Sequence, residues 1–149
     1  MNQVPQTQLI SVAIGIIYQD GKYLMQLRDD LPTIVYPGVW GFFGGHIEPG
    51  EVPEIALKRE LVEEINYSAP VLTKFRSSQT GNYLRHIFSC PLTIPVTELE
   101  LNEGWDLKLL TTEEIHQGFA YSSRAIANKP LGDIHRQILL DFIAANSSL

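Results

Sequence analysis

Residues Gly44 to Tyr67 read GGHIEPGEVPEIALKRELVEEINY, and the interpretation of the whole chain starts there. Pro53 to Ile65 is predicted as a helix, with Pro53 in the first turn, where a missing N–H costs no hydrogen bond. At about 100° per residue, Leu57, Leu61 and Ile65 form one apolar stripe that faces a core. Glu60, Glu63 and Glu64 fall side by side along its edge, with Glu60 and Glu64 one turn apart. Like charges at this spacing cost about 0.2–0.5 kcal/mol per pair on an open helix, and more when partly buried. A hard divalent cation offsets that cost. Mg²⁺ takes oxygen ligands and shares its shell with substrate phosphates. Gly44-Gly45 lets the backbone turn sharply and bring a carbonyl close to such an ion. Arg59 can hold a neighbouring carboxylate, such as Glu51 in the loop before the helix, in one rotamer. Ordinary charge patterning on a solvated face is the competing reading of the glutamates. Gly45, Glu51 and Arg59 at their fixed spacings weigh against it.

Outward from this stretch the chain is strand-rich. Leu9 to Tyr18, full of Ile and Val, reads as a buried strand. Asp20-Gly21 supplies a tight hairpin, and Tyr23 to Arg28 returns as a second strand. Asp29 to Gly38 is a loop broken by Pro32 and Pro37. Val39 to Phe43 is a short aromatic strand, in which Trp40 and Phe42 share one face and Phe43 takes the other. Beyond the helix, Val71 to Ser77 and Tyr83 to Pro91 read as a hairpin around Gln79–Asn82. Trp105 to Leu110 is a further strand. Thr111 or Thr112 caps a short helix, with Glu114 placed for a capping box. Leu131 to Ala145 is an amphipathic helix whose Leu139, Leu140, Phe142 and Ile143 face a core. This order implies an α+β fold with layers around a mixed sheet. Residues 1–149 are expected to form one domain, with residues 1–8 as a weakly ordered lead-in.

The composition narrows the function classes. Hydrophobic residues make up 44% and charged residues 19%, a globular rather than disordered balance. A net charge of −6 disfavours a polynucleotide or an anionic membrane as partner, but not a small phosphate ligand with its own metal ions. The single cysteine, Cys90, precludes an intramolecular disulfide and fits a reducing compartment. No segment reads as a signal peptide or a membrane span, so the expected location is cytoplasmic. No lysine-bearing phosphate loop follows a Gly-rich turn, which excludes a P-loop kinase or ATPase.

The stretch from Gly45 onward resembles the signature of the Nudix hydrolases, MutT-like enzymes. Gly45, Glu51, Arg59, Glu60, Leu61, Glu63 and Glu64 all stand in register with it. The sequence departs at Asn66, where the family usually has Gly, and at Tyr67, in place of a small aliphatic residue. Asn is the next most tolerant residue in the left-handed conformation that ends a helix. The resemblance implies an α/β/α sandwich. It also implies hydrolysis of a phosphoanhydride bond in a nucleoside diphosphate linked to another moiety, such as a nucleoside triphosphate, ADP-ribose or a nucleotide sugar. Glu60, Glu63 and Glu64, with the Gly44 or Gly45 carbonyl, would bind one to three Mg²⁺ or Mn²⁺ ions. Arg59 and Glu51 complete the catalytic set. Glu103 is the candidate for a further ligand or base from outside the box, with Glu98 and Glu100 as nearby competitors. The alternative is a Nudix-fold regulatory module that binds a nucleotide without cleaving it, although such modules usually lose box carboxylates.

Arg28, Asp29 and Tyr36, in and beside the 29–38 loop, are candidates for substrate contact. Phe42 is a candidate base-stacking residue, against a competing reading as core. His46 is placed to donate to a phosphate. His86, His116 and His135 lack metal-ligand spacing and carry no assigned role. Cys90 reads as buried and inert, which also counts against a Nudix-fold isomerase that needs a catalytic cysteine. The expected partner is a small nucleotide-like substrate, with the protein a monomer or homodimer.

Overall fold

A computed structural model describes residues 8–31, 33 and 37–146. Strands β1 (Ile10–Gln19) and β2 (Lys22–Leu27) form the first hairpin. Its two-residue turn places Asp20 at φ 51° and Gly21 at φ 72°, the positive values that match the right-handed strand twist. The chain continues through β3 (Trp40–Gly41), β4 (Phe43–His46), α1 (Pro53–Ile65), β5 (Thr73–Thr80) and β6 (Tyr83–Pro91). A short 3₁₀ turn (Val96–Glu98), β7 (Asp106–Leu110) and α2 (Thr112–Gln117) follow. The hairpin β8 (Phe119–Ser122) and β9 (Ala127–Pro130) then leads into α3 (Asp133–Asn146).

The seven-stranded main sheet is mixed. β1 runs parallel to β6 and antiparallel to β2 and β4; β5 closes on β6, while β3 and β7 close on β2. Alternation along the strands divides the interior into two cores. Ile14, Ile16, Met25, Leu27 and Ile87 join Ile115, Ile138 and Leu139 on the face covered by α2 and α3. Ala13, Ile17, Leu24 and Phe88 join Leu57, Leu61 and Ile65 on the face covered by α1. Helices on both faces of a mixed sheet make the expected α+β sandwich. Leu57, Leu61 and Ile65 are fully buried, each worth about 1.5–3 kcal/mol, so the apolar stripe is what seats α1.

The expected aromatic strand is split in two. Trp40 and Phe42 do face one core and Phe43 the other. Phe42 leaves the ladder because its N–H donates to Nδ1 of His135 (2.9 Å) and its carbonyl accepts from Gln26 Nε2 (3.3 Å). The chain therefore pairs with β2 before Phe42 and with β1 after it. The last helix starts two residues later than expected. Leu131 N–H is bonded to the Gly118 carbonyl and Gly132 N–H to the Trp40 carbonyl, which ties both residues to other elements. Thr111 is the cap of α2, with the reciprocal Thr111–Glu114 box formed. The β8–β9 hairpin was not expected from the sequence.

α1 ends as its last residues dictate. Asn66 adopts φ 54°, ψ 40°, and its N–H satisfies the carbonyls at Leu61 and Val62. Tyr67 is buried, and its hydroxyl donates to the Pro91 carbonyl at 2.8 Å. The ring thus fills space in the α1-side core without stranding a polar atom.

Candidate active site

The site is built where β4 runs beside α1. Gly44 has φ +144°, and a Cβ there would lie 2.1 Å from the Ala13 carbonyl oxygen. Gly45 has no such backbone constraint, but a Cβ there would lie 2.6 Å from the Glu60 carboxyl group. The two glycines therefore do different work: Gly44 lets β4 approach β1, and Gly45 leaves the space that Glu60 fills.

Arg59 organises one flank. It makes a two-pronged ion pair with Glu51, from Nε at 2.9 Å and Nη2 at 3.0 Å. Nη2 also donates to the His46 carbonyl at 3.2 Å, and Nη1 donates to Glu60 at 3.0 Å and Glu63 at 3.5 Å. The hydrogen bond from Arg59, with help from the Glu48 backbone N–H, holds the Glu51 carboxyl below its usual range. The same pairing holds the Arg59 guanidinium firmly protonated. One arginine thus locks the loop before α1, the end of β4 and the acidic edge of the helix together.

The other flank is acidic and buried. Glu64 is only 4% exposed and accepts the Gly44 N–H at 3.2 Å. Burial pushes its carboxyl far above the ordinary range, against the opposing effect of the Gly44 bond. The charges of Glu60 and Glu103, and a hydrogen bond with Glu60, push it further in the same direction. Glu103 is brought near by backbone contacts. Asn102 N–H donates to the Glu64 carbonyl (2.8 Å), Asn102 Nδ2 to the Glu63 carbonyl (3.0 Å), and Glu100 N–H to the Ile65 carbonyl (3.2 Å). These bonds satisfy carbonyls that the helix end leaves open and dock the 100–103 loop on α1.

The donor set fits a hard divalent cation. Its side-chain donors are all oxygen, Glu60, Glu64 and Glu103, and the charges of Glu60 and Glu103 disfavour that of Glu64. Among the described residues no three acidic, histidine or cysteine side chains form a ready-made cage. Glu63 is turned toward Arg59 and more than half exposed. A site for Mg²⁺ does not require a closed cage, because this ion keeps waters and takes ligands from substrate phosphates.

A model of the NUDIX domain matches residues 8–138. The chain belongs to the Nudix family. Nucleoside triphosphatase NudI of Escherichia coli is 43% identical over 56 residues, which are 37% of this chain and 38% of that protein. The MutT Nudix hydrolase of Burkholderia pseudomallei shares the fold at 19% identity and TM-score 0.71, covering 90% of this chain and 98% of that one. A Nudix hydrolase of Nitrosomonas europaea does so at 14% identity and TM-score 0.72, covering 98% of this chain and 76% of that one.

Against the Nudix signature, Gly45, Glu51, Arg59, Glu60 and Glu64 converge on one locus, with Glu63 at its exposed margin. Of the three acidic residues in the 98–103 segment, Glu103 is the one whose charge acts on Glu64 among the described residues. The expectation for Phe42 is corrected. Its ring is 3% exposed and stacks on His135 with centroids 5.2 Å apart, so no face is left for a base. His46 is exposed and contributes its carbonyl to Arg59. Arg28 lines a cleft shared with Trp40, Gly41 and His135. Tyr36 lies outside the described residues. Sequence reasoning missed Asn102 and His135, whose contacts cross 39 and 93 residues and leave no local signal.

Proposed function

We propose that this Nudix protein is a divalent-metal-dependent hydrolase of a phosphoanhydride bond in a nucleotide, with nucleoside triphosphates as the first class to test. The observation that carries this reading is the buried Glu64, held by the Gly44 N–H while Glu60 and Glu103 bear on it. Mg²⁺ or Mn²⁺ bound there would neutralise a diphosphate and acidify the attacking water. Glu60 and Glu64 would hold the ion together with a carbonyl of the Gly44-Gly45 pair, and Glu63 would turn inward from Arg59 to join them. Arg59 and Glu51 keep the acidic edge in place, and Glu103 supplies a base or a further ligand from the docked loop. The partial match to a nucleoside triphosphatase supports that choice of substrate class.

The test is turnover of a panel of nucleoside triphosphates, ADP-ribose and nucleotide sugars with Mg²⁺ or Mn²⁺, in the wild type and in Glu64→Gln. Gln keeps the shape of a protonated Glu and still accepts the Gly44 N–H, so the fold is retained. Turnover should fall by roughly 100-fold or more, a loss of about 2.7 kcal/mol in transition-state stabilisation. Equal turnover in both proteins would refute the assignment.

A further inference from the structure

β2 carries a buried polar side chain, Gln26, only 6% exposed. Met25 and Leu27 belong to the α3-side core and Leu24 to the α1-side core, so alternation turns Gln26 toward the face on which α1 lies. A buried amide is costly unless its polar atoms are satisfied. Gln26 Nε2 donates to the Phe42 carbonyl at 3.3 Å, at the break in the ladder between β3 and β4. Its Oε1 faces Gly104. A Cβ at Gly104 would lie 2.9 Å from that oxygen and 3.2 Å from the Leu27 carbonyl oxygen, and φ there is +101°. Only a glycine lets the backbone rest this closely on the Gln26 amide.

These contacts close a ring around the acidic site. Glu64 accepts from the N–H of Gly44, two residues after Phe42. Asn102, two residues before Gly104, donates from its N–H to the Glu64 carbonyl and from Nδ2 to the Glu63 carbonyl. On the far side of Gly104, Trp105 N–H donates to the Leu27 carbonyl at 2.9 Å. Glu103 therefore stands between a neighbour tied to α1 and a neighbour seated on Gln26. The Asn102 side-chain bond is exposed and the Gln26 bond is buried, so water competes less for the second. A side chain that only capped the Phe42 carbonyl would matter for stability alone. One that also seats Gly104 sets where Glu103 stands.

We propose that Gln26 is a positioning residue for Glu103: by bridging the Phe42 carbonyl and Gly104, it fixes the distance between Glu103 and the Glu64 held by Gly44. It acts through those two residues rather than on the reacting atoms. This inference rests on the reading of the acidic edge as the place where metal and phosphates bind.

The test is a double-mutant cycle between Gln26→Met and Glu103→Gln. Met is close to Gln in volume and lacks the amide, so the variant keeps the packing and loses the bridge. The first readout is kcat/KM for ATP, GTP, CTP and UTP with Mg²⁺. Each single variant should lose roughly 10-fold, and Gln26→Met should lose less than about 2-fold more in the Glu103→Gln background, where the residue it positions is already gone. The second readout, amide exchange in the metal-free protein, is independent of turnover. Gln26→Met should speed exchange at residues 101–105 by about 10-fold or more while β1 keeps the wild-type rate. If Gln26→Met does not fold, Gln26→Asn decides by the same two readouts, since its amide sits on a stem one methylene too short to bridge. Full kcat/KM in the folded variant, equal losses with and without Glu103, or unchanged exchange at residues 101–105 overturns the proposal. A wild type that hydrolyses none of the four nucleotides overturns the substrate reading beneath it, and the exchange result then decides on the bridge by itself.

Discussion

Adding one methyl group at Gly45 separates what the acidic site does from what holds the fold. A Cβ at Gly45 would sit 2.6 Å from the Glu60 carboxyl carbon and from one oxygen, and 2.9 Å from the other. Ordinary contact begins near 3.5 Å, so the carboxylate must retreat by roughly 1 Å. It is the end of a flexible side chain, and Gly45 does not need a positive φ, so the stability cost should stay within about 1 kcal/mol. The retreat pulls Glu60 away from its 3.0 Å bond to Arg59 and from its place beside Glu64. A displacement of that size at a reacting centre costs about 100-fold in rate. Gly44→Ala is the control. There the Cβ meets the Ala13 carbonyl at 2.1 Å with φ at +144°, and neither backbone can yield. That variant should lose several kcal/mol of stability as well as activity. The assay is kcat/KM for pyrophosphate or phosphate release with Mg²⁺, alongside urea unfolding. Full activity in Gly45→Ala, or destabilisation equal to that of Gly44→Ala, would refute the reasoning.

Further outcomes follow from single contacts. Tyr67→Phe removes a hydroxyl bonded to the Pro91 carbonyl (2.8 Å) and near Thr93, and should cost about 1–2 kcal/mol in urea unfolding with kcat unchanged. Arg59→Lys keeps a charge but loses the two-pronged grip on Glu51, and should lower kcat/KM about 10-fold without lowering the melting temperature by more than a few degrees. His135 has its basicity lowered to a pKa of about 4, mainly by burial and then by Arg85 and Arg28. Its neutral form belongs to the folded state, so its contribution is complete above pH 6.5 and is lost as pH falls from 6.5 toward 4. The full loss is about 3 kcal/mol. Unfolding at pH 7 and pH 5 should therefore show a smaller pH dependence in His135→Gln than in the wild type.

Much of this architecture was legible because local rules and tertiary packing agree. The stripe at Leu57, Leu61 and Ile65, the turn at Asp20-Gly21 and the Thr111–Glu114 box each report a local periodicity or cap, and each forms as read. The β8–β9 hairpin was not legible. Its turn holds no Gly, Pro or Asn; Ile126, a β-branched residue, takes φ +53° there. Core and base stacking stayed open alternatives for Phe42, because its burial depends on α3 folding back across 93 residues to place His135 on its ring. The helix signature gave the carboxylates their spacing. It could not give the docking of Asn102 on the helix carbonyls, which is a side-chain and backbone match between distant segments.

The most direct test of the acidic edge is Mn²⁺ binding followed by paramagnetic resonance, in the presence of a non-hydrolysable nucleotide, for the wild type and for Glu64→Gln. The account predicts stoichiometric binding by the wild type and at least 10-fold weaker binding by the folded variant. Equal Mn²⁺ affinity in the two proteins would contradict it.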